Sequence, residues 1–169
     1  MMRTFIAADF PVEIVENIRT TLSYLKAQTP GHGLKWVASE NLHLTIKFLG
    51  DISESRLKDI KTIIQDELRG QNEFMVTVEG LGFYPNAQHP RVVWLGITPE
   101  QTLKQIHRKL DLALQKIDVH TDQRGYSPHL TVARVRRNVD QQTIKKIGET
   151  LSEFKVDSLG SAVINQIKL

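Results

Sequence analysis

The string His43-Leu44-Thr45-Ile46 returns later in the chain as His129-Leu130-Thr131-Val132. Each copy is a histidine, an apolar residue, a threonine and an apolar residue. In an extended strand successive side chains point to opposite faces, so residues two apart share a face. His43 and Thr45 therefore share one face and Leu44 and Ile46 the other; His129 and Thr131 repeat the arrangement. The fold must accommodate two strands that each bury one side and leave an imidazole and a hydroxyl open on the other. A lone His-x-Thr is common by chance and is explained by a strand histidine bonded to backbone. Two copies, both flanked by aliphatic residues, call for a fold that uses them together.

The remaining pattern is mixed. Thr4 to Phe10 reads as a buried strand closed by Pro11. Ile14, Ile18, Leu22 and Leu25 form one face of a helix from Val12 to about Gln28. Pro30, Gly31 and Gly33 mark a turn. Strands are expected at Leu34–Val37 and Asn41–Leu49, the second ended by Gly50-Asp51. Ser53 opens a helix to about Leu68 with Leu57, Ile60, Ile64 and Leu68 inward, stopped by Gly70. Glu73–Leu81 and Arg91–Ile97 read as a long-looped hairpin. Pro99 fits the first position of a helix to about Ile117, with Leu103, Ile106, Leu110, Leu114 and Ile117 inward. Arg124 to Pro128 is a turn into the strand Leu130–Val135. A helix follows from Asp140 or Thr143 to about Leu151, and Phe154–Val156 and Ala162–Ile167 are candidate closing strands, paired with each other. The order is α+β with antiparallel pairs. Each His–Thr string sits on a strand after a turn and before an amphipathic helix, the pattern of a duplicated unit placing equivalent strands on either side of a cleft.

With 169 residues and 40% apolar content, the chain is expected to form one domain over residues 1–169, built as two lobes. The net charge of +3 suits an anionic ligand. There are no cysteines, which excludes disulfides, thiol nucleophiles and thiolate metal sites. The apolar N-terminus is too short for a signal-peptide core, and no segment has the length to span a bilayer. These features lead us to expect a soluble cytoplasmic protein with no membrane association.

Two imidazoles facing one ligand can divide a proton-transfer reaction. A neutral one takes a proton from the attacking group, and a charged one gives a proton to the leaving group. Neighbouring hydroxyls can donate to oxygens gaining charge. That set suits in-line cleavage of a phosphodiester. It suits metal hydrolysis poorly, because neither histidine has helical ligand spacing or an accompanying carboxylate. His32, His89, His107 and His120 show no paired spacing and are read as surface or structural. Gly31-His-Gly33 and Gly80-Leu-Gly82 lack the spacing of a nucleotide-binding loop.

His43-Leu-Thr-Ile-Lys-Phe-Leu-Gly50 and Ser127-Pro-His129-Leu-Thr-Val-Ala-Arg134 resemble the two signature motifs of the 2H phosphoesterase superfamily, most closely its RNA 2′,3′-cyclic phosphodiesterase (2′-5′ RNA ligase) branch. Arg3-Thr-Phe-Ile-Ala-Ala-Asp-Phe-Pro11, Gly82-Phe-Tyr-Pro85 and Pro90-Arg-Val-Val-Trp94-Leu-Gly resemble the same branch. The resemblance implies a bilobal α+β fold, two antiparallel sheets flanking a central cleft with helices on the outer faces. It implies hydrolysis of RNA 2′,3′-cyclic phosphate ends, tRNA fragments among them, to 2′-phosphomonoesters. His43 would be the proton donor and His129 the proton acceptor, with Thr45 and Thr131 on the non-bridging oxygens; the residues alone treat the two histidines symmetrically. No metal and no cofactor is implied, the protein would act as a monomer, and 2′-5′ RNA ligation would be a secondary activity. The alternative is a nucleotide- or RNA-binding module of the same fold without turnover.

Around this constellation, Arg134 matches the residue that helps hold the nucleotide in the family. Strict alternation puts it on the face opposite His129, so a bulge is needed to bring it to the ligand. Tyr126 and Tyr84, expected in loops, could stack on a base or anchor their loops. Lys47 is read as a surface lysine, and Phe48, Phe83 and Trp94 as core aromatics. The run Arg134-Val-Arg136-Arg137 could meet RNA phosphates or face solvent.

Overall fold

The computed structural model describes residues 1–29, 31–119 and 125–169. The expected turn residue Pro30, His120 and Arg124 lie outside the described residues. In chain order the elements are β1 (Met2–Ala8), α1 (Val12–Gln28), β2 (Leu34–Trp36), a 3-10 turn (Ser39–Asn41), β3 (Leu44–Ile52), α2 (Glu54–Glu67), β4 (Phe74–Tyr84), β5 (Val92–Thr98), α3 (Gln101–Gln115), β6 (His129–Val135), α4 (Gln141–Ser152) and β7 (Ser161–Ile164). The α+β class with antiparallel sheets is as expected. β1 and β3 form a two-stranded sheet, and the other five strands pair in the order β2-β6-β5-β4-β7. Every pairing is antiparallel. The second string lies wholly in β6, whereas the first enters β3 only at Leu44: the expected strand start at Asn41 is taken by the 3-10 turn, and His43 stands just before the strand.

The helices bury the stripes that their periodicity predicts. α1 buries Ile14, Ile18, Leu22 and Leu25, and α3 buries Leu103, Ile106, Leu110 and Leu114. These residues join Leu44 and Ile46 of β3 and Leu130 and Val132 of β6 in one hydrophobic cluster fed from both sheets. Burial of this kind stabilises by roughly 25 cal/mol per Å² of apolar surface removed from water. α4 is capped by Asp140, whose carboxylate accepts from the Thr143 amide at 2.9 Å and its hydroxyl at 2.7 Å. The hydroxyl bond first, and then the amide bond, hold the Asp140 carboxyl below the ordinary carboxylate range.

Several boundaries differ from expectation for identifiable reasons. Gly50 does not end β3; with φ +74° it follows a bulge at Leu49, and the strand continues pairing to Ile52. Tyr84 is not in a loop, because it pairs with Val92 at the end of the β4–β5 hairpin. Pro99 does not begin α3: β5 pairs through Thr98, so Pro99 and Glu100 make the turn and the helix starts at Gln101. Phe154–Val156 is not a strand. The segment 154–160 runs beside β4 through single bonds, the Gly80 amide to Val156 O at 2.9 Å and the Leu159 amide to Val78 O at 2.8 Å. β7 then pairs with β4 rather than with 154–156.

α4 packs closely on the β4–β5 connection. A Cβ on Gly148 would lie 1.8 Å from the Ala87 carbonyl oxygen. Gly148→Ala is therefore expected to destabilise the protein by about 1–3 kcal/mol, although alanine is the better helix former. Urea denaturation of the two proteins measures this, and an unchanged or raised midpoint would refute the close approach.

Candidate active site

The two strings reach the cleft by the same local device. Opposite β1, Ala7 pairs with Thr45 and Ile6 with Lys47, which leaves Ile46 as an extra residue. Opposite β5, Trp94 pairs with Thr131 and Val93 with Ala133, which leaves Val132 extra. Each string thus carries a β-bulge at its fourth residue. The bulge puts two consecutive side chains inward, Ile46 with Lys47 and Val132 with Ala133. It also restores the residue five after each histidine to the histidine face. Those residues are Phe48 and Arg134.

His43, Thr45, His129 and Thr131 line one cavity of about 620 Å³ together with Arg3, Phe5, Asn41, Phe48 and Arg134. The two strings therefore converge on one space. Among the described residues lining it there is no carboxylate, and two guanidinium side chains reach it. Each imidazole is held in the same way: His43 Nδ1 lies 2.8 Å from Asn41 O, and His129 Nδ1 lies 2.8 Å from Ser127 O. A carbonyl can only accept, so Nδ1 carries the proton in both rings and Nε2 is left for chemistry. The ring environments differ. His43 stacks on Phe5 with centroids 4.6 Å apart and 15° between planes. His129 meets Tyr84 edge-on at 5.0 Å and Trp94 at 6.1 Å.

Tyr126 borders a second cavity of about 610 Å³ that shares Thr45, Phe48 and His129 with the first. Its hydroxyl donates to the Thr45 carbonyl at 3.1 Å, and its ring is stacked on His107 at 4.4 Å. Burial, and then the nearby Glu100 carboxylate, push the phenol above the ordinary tyrosine range, so it remains a neutral donor. His107, read as a surface or structural histidine, forms part of this wall. Arg134 lines the first cavity, while Arg136 and Arg137 are exposed and do not.

Three side chains stand elsewhere than the sequence pattern predicts. Lys47 is not a surface residue: it is 3% exposed and forms an ion pair with Asp111 of α3. Phe48 is not in the core, being 53% exposed on the cleft side. The bulge at Ile46 exchanges the faces of these two residues. Trp94 stands beside His129 rather than in the main hydrophobic cluster, over Gly82, whose missing side chain makes room for the indole. Arg3, Phe5 and Arg91 line the cavities and escaped sequence reasoning. Only the cross-strand register, Phe5 opposite Phe48, brings Phe5 to His43.

Among the described residues no three histidine, cysteine or carboxylate side chains are grouped as ligands for a metal ion. No described helix is long and apolar enough to cross a membrane.

Comparisons with known proteins converge on one family. The family described as LigT like Phosphoesterase matches residues 9–94, a stretch that contains the first string. The chain is 36% identical to a protein of Methanothermobacter thermautotrophicus named RNA 2′,3′-cyclic phosphodiesterase, over 99% of this chain and 88% of that protein. It is 33% identical to a protein of the same name from Methanocaldococcus jannaschii, over 99% and 90%. Among solved structures, Escherichia coli LigT in complex with 3′-AMP superposes with a TM-score of 0.74 at 26% identity, over 98% of this chain and 84% of that one.

The ion pair ties the string on β3 to α3 from beneath. Removing the Asp111 carboxylate while the Lys47 ammonium stays buried is expected to cost about 3 kcal/mol. Replacing both residues by leucine and methionine should recover most of that loss. A double-mutant cycle by chemical denaturation checks it, and additive losses would show that the two side chains do not act as a pair.

Proposed function

The chain belongs to the LigT-like phosphoesterase family, and from that premise we propose that it is a hydrolase converting RNA 2′,3′-cyclic phosphate ends to 2′-phosphomonoesters. The observation that carries this is the pair of identically latched imidazoles on one cation-bearing cavity. His129 Nε2 takes a proton from water as the water oxygen attacks phosphorus. The bond from phosphorus to the 3′ oxygen breaks, and that oxygen receives the proton of His43 Nε2. The Thr45 and Thr131 hydroxyls donate to the non-bridging oxygens, and the Arg134 guanidinium opposes their charge. Tyr126 steadies the Thr45 carbonyl and borders the substrate's surroundings. With the 5′-hydroxyl of a second RNA in place of water, the same steps make a 2′-5′ bond. No metal or cofactor takes part. Both strings come from one chain, so a monomer suffices; tRNA fragments with cyclic ends are suitable substrates, and the cytoplasm is where we place the reaction.

Incubation with an oligonucleotide ending in a 2′,3′-cyclic phosphate, in the presence of chelator, tests this. A 2′-phosphate product is expected. A 3′-phosphate would overturn the assignment of His43 to the leaving 3′ oxygen, and binding without turnover would make the protein a binding module.

His43→Ala and His129→Ala should each lower kcat by at least about 10²-fold, with the double variant losing less than the product of the two. Because one imidazole must be charged and the other neutral, kcat/KM should be bell-shaped between about pH 5 and pH 9. Full activity in either single variant, or a flat profile with chemistry rate-limiting, would defeat the two-histidine mechanism.

A further inference from the structure

The cleft is longer than the site at its centre. A third cavity, of about 490 Å³, shares Arg3, Phe5 and His43 with the central one. The second cavity meets the centre at a different set of residues, Thr45, Phe48 and His129. The central cavity thus adjoins two chambers, one at His43 and the other at His129. The two outer chambers differ in chemistry. On the His129 side the walls are mainly Phe48, Tyr84, Tyr126 and Val92, with Arg91 and the ion-paired Lys47. On the His43 side stand the cations Arg3, Lys61 and Lys168 and the carboxylates Asp9 and Glu40. Lys168 is taken up by Asp9. That leaves Arg3 and Lys61 facing Glu40, an excess of one positive charge, which Arg91 alone matches in the other outer chamber; what sets the His43 side apart is two cations against an aromatic wall.

In-line displacement gives this asymmetry a direction. The attacking oxygen and the leaving oxygen occupy opposite sides of phosphorus. The leaving 3′ oxygen belongs to the ribose that continues into the RNA, so the RNA body lies on the side of the group that protonates it. We propose, building on the reaction above, that the RNA body runs from the central cavity over His43 into the flanking chamber, where Arg3 and Lys61 receive the phosphodiester upstream of the cyclic end. The chamber beside His129 then lies on the side of the attacking group. The enzyme on this basis prefers an oligonucleotide to a mononucleotide, and the preference resides in a strand and a helix outside both His–Thr strings.

The test compares adenosine 2′,3′-cyclic phosphate with a tetranucleotide ending in the same group, by kcat/KM at several potassium chloride concentrations. The wild-type ratio of tetranucleotide to mononucleotide should exceed one. It should fall roughly threefold in Lys61→Ala and in Arg3→Ala, the size expected of an exposed charge contact. The salt dependence for the tetranucleotide should become shallower by about 0.7 in logarithmic slope for each cation removed. Lys61 is exposed on α2, so its substitution leaves folding intact. A wild-type ratio of one or less overturns the proposal, as does a ratio that falls in Arg91→Ala but not in Lys61→Ala or Arg3→Ala. Absence of turnover of both substrates overturns the reaction itself, and the direction of the RNA with it.

Discussion

One unpaired residue after each threonine governs what both strands present to the cleft. A regular strand that shows histidine and threonine on one face must next show Lys47 in one copy and Ala133 in the other. The bulges at Ile46 and Val132 break that parity. The core gains two adjacent side chains from each strand, and the cleft gains a ring at Phe48 and a guanidinium at Arg134. Bulges re-aim side chains at a modest loss of ladder hydrogen bonding. Here the same displacement, used twice, produces a cavity whose walls are similar in construction and different in chemistry.

The cost of turning Lys47 inward falls on α3. A buried ammonium is tolerated only with partners that satisfy its charge and donors, and Asp111 is one. That pair, the Tyr126 bond to the Thr45 carbonyl and the stacking of Tyr126 on His107 all converge near the β3 string. β3 belongs to a sheet of only two strands, which on its own has little pairing to hold it. Contacts from α3 and from the segment before β6 supply the rigidity that the opposite string receives from β2 and β5.

The helices were legible in the sequence because a 3.6-residue period over a dozen or more positions leaves little ambiguity. Val12–Gln28 is found at its expected limits, with the same four residues inward. The His–Thr faces were legible for the same kind of reason, as alternation over four residues. What could not be read was anything that depends on an unpaired residue or on a partner distant in sequence. Lys47 and Phe48 exchanged faces because no local pattern announces a bulge. Alternation shows that Arg134 requires one, yet its position at Val132 is set by pairing with β5. Phe5 and Arg3 reach the site through cross-strand register, and β7 found β4 rather than its sequence neighbour, since in each case the partner is chosen by the whole sheet.

The identical Nδ1 latches on the two histidines have a consequence for the cycle as a whole. In the proposed reaction each turnover leaves His129 charged and His43 neutral, the reverse of the starting condition. An imidazole whose Nδ1–H is tied to a carbonyl two residues earlier cannot turn over end for end without breaking that bond. Proton traffic at both rings is therefore one-ended. The atom that reacts is also the atom that must be recharged or discharged before the next substrate arrives, and a product still seated between the rings blocks the reset of both.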